Sequence, residues 1–448
     1  MKRILCILLA IAMIFALCSC KLHFGGTTIK TDDTTSGTTS KKNTGNKSDK
    51  NESQSEDDDD DTDDDDDTSQ VDDDDDTDDD DDNDEDPNAW NFNNTYYKLT
   101  NDKKLTVGYI GGSVTVGTGG DTQNGCWRAY TTKWLKDTYK ADVTEINAAM
   151  GGSSSVWGAP RYQNWILSKK PDLVFIEFSI NDFYNSNSTG FPGEAESAML
   201  MDSMIRQTQK QLPNCDIVVV TVVDSTTIKQ GNKNADGHKK AAEYEGVLYL
   251  DVTESLLKKV TQNLTNWGKY FNNSDAVHPN ADGYKIYSDY ITSELAQKFE
   301  ESAAAKPSGL KAHTVQSKPY NANVPEKYTL IYGKDLKYDK AKWALKDGVS
   351  GNKFGSSYIY AKETGASVSC EFTGNTVSIF GVFAAGSKIE VTVDGGAKSK
   401  TIASDKAAGE VLLWTDLENT KHTLTVKVTG KVENDKTCQL SCIAAGTR

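Results

Sequence analysis

Leu105-Thr106-Val107-Gly108-Tyr109-Ile110-Gly111-Gly112-Ser113 decides how this chain is read. An apolar run from Leu105 to Ile110 stops abruptly at two glycines and a serine. Such a run reads as a buried strand entering a tight turn. In an open α/β sheet, the turn at the carboxyl end of a strand lies where ligands bind. A serine at that place either caps the next helix or presents its hydroxyl to a pocket.

Working outward, the pattern alternates. Apolar strand runs fall at Leu105–Ile110, Val143–Ile146, Leu173–Phe178, Ile217–Val223 and Val247–Val252. Helix-like segments separate them, near Trp127–Tyr139, Pro160–Ser168, Glu194–Gln211 and Asp236–Glu245, and a last one runs from Ala281 to about Glu300. Alternating strand and helix predict a parallel sheet with helices on both faces. Beyond a Pro-, Ala- and Lys-rich stretch at 303–327 the period becomes two, as in Ser367–Phe372, Val377–Phe380, Ile389–Val393 and Thr423–Val428, with a turn signal at Asp394-Gly395-Gly396. Short alternating strands joined by turns predict a β-sandwich over 328–448.

Chemistry collects at the strand ends of the α/β part. Serine catalysis needs a base, a group to orient that base, and donors for an oxyanion. Of the five histidines, only His278 stands in a strong context, Ser274-Asp275-Ala276-Val277-His278-Pro279-Asn280, in the loop before the closing helix. Asp275 lies three residues earlier, within one turn of it. Asn147-Ala148-Ala149-Met150-Gly151-Gly152-Ser153 follows the second strand and Ser179-Ile180-Asn181-Asp182 the third. Glycine lets backbone N–H groups approach a ligand, and asparagine adds a side-chain donor. Each feature alone is also an ordinary turn.

Together, Gly-Gly-Ser113, Asn147 with Gly152, Asn181-Asp182 and Asp275-x-x-His278-Pro279 resemble the SGNH, or GDSL-type, hydrolase superfamily over about residues 95 to 300. The resemblance implies a flavodoxin-like three-layer α/β/α fold within 89–302, with Ser113 as nucleophile, His278 as base and then acid, and Asp275 orienting it. The oxyanion hole would be the N–H groups of Ser113 and Gly152 with the side-chain amide of Asn181. It implies no metal and no cofactor. Gly112 departs from the pattern, since many members have aspartate there. Thr115 breaks the Gly-x-Ser-x-Gly elbow of the α/β-hydrolases, and the glycine-rich run to Gly120 lacks a P-loop lysine.

The chain's 448 residues carry a formal charge of −17, but one segment produces it: Glu56–Asp86 holds 24 of the 66 acidic residues, leaving 42 acids against 49 bases elsewhere. No basic run suggests a nucleic-acid groove. Residues 21–88, ending in aspartate blocks, predict a disordered spacer rather than a calcium array, since no glycine sits among the aspartates to form ligand loops. Residues 1–20 read as a secretory signal whose end, Leu17-Cys18-Ser19-Cys20, resembles a bacterial lipobox with Cys20 as the lipidated residue. The expected location is the outer face of the cytoplasmic membrane, with a glycan ester as substrate. Cys126, Cys215, Cys370, Cys438 and Cys442 are too widely spaced for a disulfide framework, leaving buried thiols or a pair among the last three open.

A surface esterase with an accessory β-sandwich resembles carbohydrate esterases that remove acetyl groups from polysaccharides. A peptidoglycan or teichoic-acid O-acyl esterase, or an idle scaffold that binds glycan, are the rivals. Trp157, Tyr162, Tyr184 and Trp267 would either stack on sugar rings or pack in the core. The C-terminal part resembles jelly-roll modules of the galactose-binding-like kind, either binding glycan, with Trp343, Tyr358, Tyr360 and Trp414 as contacts, or serving as a structural module.

Overall fold

The computed structural model describes residues 91–186, 193–260, 263–272, 275–403 and 408–448. Cys20, the aspartate-rich segment and the calcium question lie outside them. Among the described residues, five parallel strands form the first sheet: β1 (Lys104–Gly111), β2 (Asp142–Asn147), β3 (Leu173–Glu177), β4 (Asp216–Thr221) and β5 (Leu248–Asp251), in the order β2-β1-β3-β4-β5. This is the flavodoxin-like order, whose ligand crevice opens at the switch between β1 and β3. Val107 and Tyr109 in β1 are fully buried, as the apolar run requires.

Seven helices bear on the argument: α1 (Ser113–Val116), α2 (Trp127–Tyr139), α3 (Ser155–Trp165), α4 (Ser179–Ser186), α5 (Glu194–Gln211), α6 (Lys233–Tyr244) and α7 (Ala281–Ala305). Two begin earlier than their patterns predict, and capping is the reason. The Ser154 hydroxyl accepts the Val156 N–H, so α3 starts five residues before Pro160 and carries that proline inside it. The Asn232 side chain accepts from Asn234 and Ala235 at the start of α6.

The C-terminal part is an antiparallel sandwich. One sheet runs β13 (Ala408–Trp414), β10 (Thr376–Phe383), β15 (Cys438–Thr447), β8 (Tyr358–Ala361), β7 (Trp343–Lys346), with β6 (Lys327–Tyr332) also paired to β15. The other runs β12 (Lys398–Ala403), β11 (Lys388–Val393), β14 (Thr420–Val428), β9 (Ser367–Gly374). The Asp394-Gly395-Gly396 turn joins β11 to β12, with all three residues at positive φ. Trp343 is buried inside, its indole N–H donating to the Ser367 carbonyl. The five cysteines of the described residues are free thiols.

The two parts share apolar packing. Phe354, Phe380 and Leu412 of the sandwich belong to the same buried cluster as the α/β core. Trp157 lies at the seam, 2 % exposed, with ring centroids 4.6 Å from Phe380 and 5.5 Å from Phe354. Its predicted role as a substrate contact is therefore corrected: both neighbours come from the second domain and leave no face open. The stretch 306–326, without helix or strand, is tied down along the α/β part. The Tyr320 N–H donates to Asp202, the Ser203 hydroxyl to the Pro325 carbonyl, and Arg206 to the carbonyls of Gln316 and Lys318.

Asp202 lies on α5 against Glu245. Burial, and then the neighbouring Glu245 carboxylate, push the Asp202 carboxyl up to about 8, against the pull of the Tyr320 N–H and Arg206. A carboxyl raised on folding stabilises the fold most below its unfolded value, and that contribution is lost as pH rises through the folded value. Wild-type protein should therefore show a falling urea midpoint from pH 5 to pH 8.5, and Asp202→Asn should flatten that slope; an unchanged slope would refute the assignment. Trp157→Ala should cost about 3–5 kcal/mol by urea denaturation, whereas a loss under 1 kcal/mol would show that the seam is not a packed core.

Candidate active site

The site is built at the ends of β1, β2 and β3. After β1 the chain turns through Gly111 and Gly112 into α1, which puts Ser113 in its first turn, where helix N–H groups have no intrahelical partner. The turn is held from below. Glu177, at the end of β3 and 1 % exposed, accepts the Thr115 hydroxyl at 2.7 Å and the Ser179 hydroxyl at 3.3 Å. Burial raises the Glu177 carboxyl, with both hydroxyl bonds opposing. Asn181, in the first turn of α4, lies directly over Gly112. A methyl group on Gly112 would come 1.8 Å from Asn181 Oδ1. The departure at this position thus has a steric cause: no side chain fits beneath the asparagine amide here.

His278 reaches Ser113 from the opposite side. Its Nε2 lies 2.7 Å from Ser113 Oγ and its Nδ1 2.6 Å from Asp275 Oδ2. The other oxygen of Asp275 accepts the backbone N–H groups of Val277 and His278, each at 3.0 Å. Burial raises the Asp275 carboxyl, but the imidazole bond and the two backbone bonds outweigh it, so the group ends below its ordinary value. It stays ionised and fixes the imidazole from both sides of one turn. The loop is braced further. Trp267 stacks on Phe271 at 3.7 Å and donates its indole N–H to the Ala276 carbonyl. Asn272 N–H donates to the His278 carbonyl, and Asn280 caps α7 immediately after Pro279.

This geometry corrects a second expectation. Trp267 is 9 % exposed and its ring face is taken by Phe271, so it supports the histidine loop instead of contacting a sugar. Tyr162 is buried, with its hydroxyl 2.8 Å from Thr208 Oγ1. Tyr184 differs. It lies one turn after Asn181, is 40 % exposed, and holds its hydroxyl on Asp224. Burial, then that carboxylate, push its phenol up to about 12.

The glycine-rich run after α1 has a positioning use. A methyl on Gly119 would come 2.6 Å from the Pro279 carbonyl oxygen and 2.9 Å from His278 Cβ. The run thus forms a backbone shelf behind the histidine. Gly152 has φ of +67°, a conformation natural to glycine. Asp182 accepts the Ser155 N–H at 2.8 Å and holds buried His238 at 2.9 Å, which ties the Gly152 loop to the start of α4. Among the described residues no group of three or more His, Cys, Asp or Glu side chains could hold a metal ion.

Residues 109–286 match the model of the GDSL-like Lipase/Acylhydrolase family. The α/β part is a GDSL-like hydrolase domain. All the strand ends described above lie within the matched segment. No curated protein matches the chain. Among solved structures, the chain is similar to a two-domain esterase (CEX) active on acetylated mannans, at 20% identity and a TM-score of 0.63, covering 81% of this chain and 97% of that one. The same kind of esterase co-crystallized with mannopentaose aligns at 21% identity and a TM-score of 0.62, covering 77% and 91%. At this identity the likeness establishes the fold, and it extends across the GDSL-like domain and the β-sandwich together.

Sequence reasoning gave no positioning role to Glu177, Thr115, Asp182 or the shelf at Gly119. A polar residue ending the apolar run Leu173–Ile176 was the available signal for Glu177. Gly112→Ala tests the turn. The new methyl must displace Asn181, so kcat on a soluble ester should fall about 100-fold, the loss expected of one oxyanion donor, with far-UV circular dichroism unchanged. Near-normal kcat would mean that Asn181 donates nothing to the reaction.

Proposed function

We propose that this protein is a serine esterase that removes short acyl groups, acetyl foremost, from a polysaccharide outside the cell. The observation that carries the reading is the chain of contacts from Ser113 through His278 to Asp275, at 2.7 and 2.6 Å, at the sheet's switch point. A serine, a histidine and a carboxylate in that order are the parts of nucleophilic acyl transfer.

The steps follow from the geometry. Ser113 Oγ attacks the ester carbonyl carbon while His278 Nε2 takes its proton. Asp275 stabilises the imidazolium that forms. The carbonyl oxygen becomes an oxyanion and accepts from the N–H groups of Ser113 and Gly152 and from the Asn181 amide, where fixed donors need no reorganisation. Collapse breaks the C–O bond to the sugar, whose hydroxyl leaves with the proton from His278. Water, deprotonated by the same histidine, attacks the acyl-enzyme and releases the acid, restoring Ser113.

Two features support a polymeric substrate. Tyr184 presents an exposed ring one turn from Asn181, suited to a sugar face. The fold likeness to an esterase active on acetylated mannans supports putting that polymer first in a trial. A signal ending at Cys20 would anchor the enzyme by lipid on the outer face of the membrane, with 21–88 as spacer, within reach of such a polymer.

The test is acetate release from acetylated mannan, xylan, pectin and peptidoglycan. Wild type should release acetate from at least one plant polysaccharide, and Ser113→Ala should lose about 10⁴-fold or more of that rate with an unchanged melting temperature. Release from peptidoglycan alone would move the substrate to the wall. Retained activity in Ser113→Ala would refute the nucleophile.

A further inference from the structure

The loop that carries Gly152 is held by the β-sandwich. Glu410, on β13 and 3 % exposed, accepts the Ser154 N–H at 3.0 Å and the Ser154 hydroxyl on the same oxygen. Its other oxygen pairs with Lys353, from the loop between β7 and β8. Lys353 Nζ in turn donates to the carbonyl of Gly152 itself. Among the described residues, no group of the GDSL-like domain bonds to the Gly152 carbonyl or the Ser154 N–H. The GDSL-like domain grips this loop on either side, where the Met150 N–H donates to the Gly111 carbonyl at 2.9 Å and Asp182 takes the Ser155 N–H.

The grip matters because of where it falls. Gly152 has no Cβ to restrict it and samples both signs of φ readily. The bond to its carbonyl fixes the following peptide plane, and the bonds to Ser154 fix the plane after that. Those bonds anchor the turn on its C-terminal side, and the Ser153 N–H closes it by donating to the Met150 carbonyl at 3.1 Å, so that Gly152 between them sits at φ +67°. Charge-assisted bonds are the strong kind, and here the carboxylate end is buried while the lysine keeps about a quarter of its side chain exposed, 24%. A further buried charge sits nearby: Arg161, on α3, is fully buried, donates to the Ala148 carbonyl at 2.6 Å, and feels the Glu410 carboxylate. Ala148 lies in the same loop, between Asn147 and Gly152. The loop is thus pinned at Ala148 by a cation facing Glu410 and at Gly152 and Ser154 by the ion pair that Glu410 forms.

We propose that Lys353 and Glu410 are positioning residues for the oxyanion hole, so that the GDSL-like domain holds its catalytic geometry only with the β-sandwich docked on it. The proposal rests on the reading of Ser113 as nucleophile and Gly152 as oxyanion donor. Neither residue is assigned a contact with substrate; both act through the conformation of Gly152.

The experiment uses the full chain, with 4-nitrophenyl acetate as substrate and hydrogen exchange of the 148–158 segment as a second readout. Lys353→Met removes the donor to Gly152 and leaves Arg161 to face Glu410. It should lower kcat about tenfold, a fraction of the loss of a whole oxyanion donor, with KM within twofold and the melting temperature unchanged. Exchange in 148–158 should accelerate about tenfold while the rest of the domain keeps its protection, since local opening is read separately from global unfolding. Lys353→Arg, which keeps a cationic donor, should restore most of both. Unchanged kcat, or unchanged exchange in the loop, would overturn the proposal, as would a loss that tracks a lower melting temperature and is not rescued by arginine. Ser113→Ala separates the two claims. If it stays active the nucleophile reading falls, whereas slow loop exchange in Ser113→Ala beside fast exchange in Lys353→Met upholds the clamp.

Discussion

The close approach of Asn181 to Gly112 is the constraint on which the rest of the site depends. A side chain one methyl larger at 112 would occupy the space of the asparagine amide. Because the contact is that tight, the end of β1 and the start of α4 must sit in one fixed relation, and Ser113 and Asn181 converge on one point. Glu177 reinforces the relation from within the sheet, bonding Thr115 on one side and Ser179 on the other. A buried carboxyl between two hydroxyls is costly to desolvate and strongly held once satisfied. The sheet order contributes the remainder, because the switch between β1 and β3 leaves the crevice into which both turns open.

A different kind of support holds the loop that carries Gly152. The loop after β2 lies at an edge strand of the sheet, where fewer neighbours can brace it. The structure meets this with elements from far along the chain: Lys353 and Glu410 lie 201 and 256 residues from the groups they bind. The apolar seam of Trp157, Phe354 and Phe380 lies beside them, with Glu410 buried and Lys353 partly exposed. Exposed ion pairs contribute little, but one held in a packed seam can set a geometry.

Much of the architecture was legible in the sequence because its signals are local. All five strand runs lie on observed strands to within two residues at each end, since a buried parallel strand is a short apolar run bounded by turns. The places of Ser113, Gly152 and Asn181 after the first three strands were legible for a similar reason, since each follows an apolar run, and the structure brings Asp275 and His278 to Ser113 from the loop before α7. The aromatic residues were not. Trp157 and Trp267 sit in loop-like sequence and look available, yet one is covered by phenylalanines from the second domain and the other by Phe271. What covers a ring is a matter of tertiary contact, and periodicity carries no record of it. Lys353 and Glu410 were invisible for the same reason, since a lysine in a turn and a glutamate beside a strand are what an exposed surface also looks like.

The stretch 306–326 offers the loose composition of a tether, yet its backbone is bonded to Asp202, Ser203 and Arg206 on α5. The joint between the two domains is therefore stiff. Every surface of the β-sandwich is held at one distance and one angle from Ser113. A flexible tether would let an accessory module graze along a polymer independently of the reaction centre. A fixed joint makes the pair behave as a gauge, in which every point on the sandwich surface lies at a set distance from Ser113.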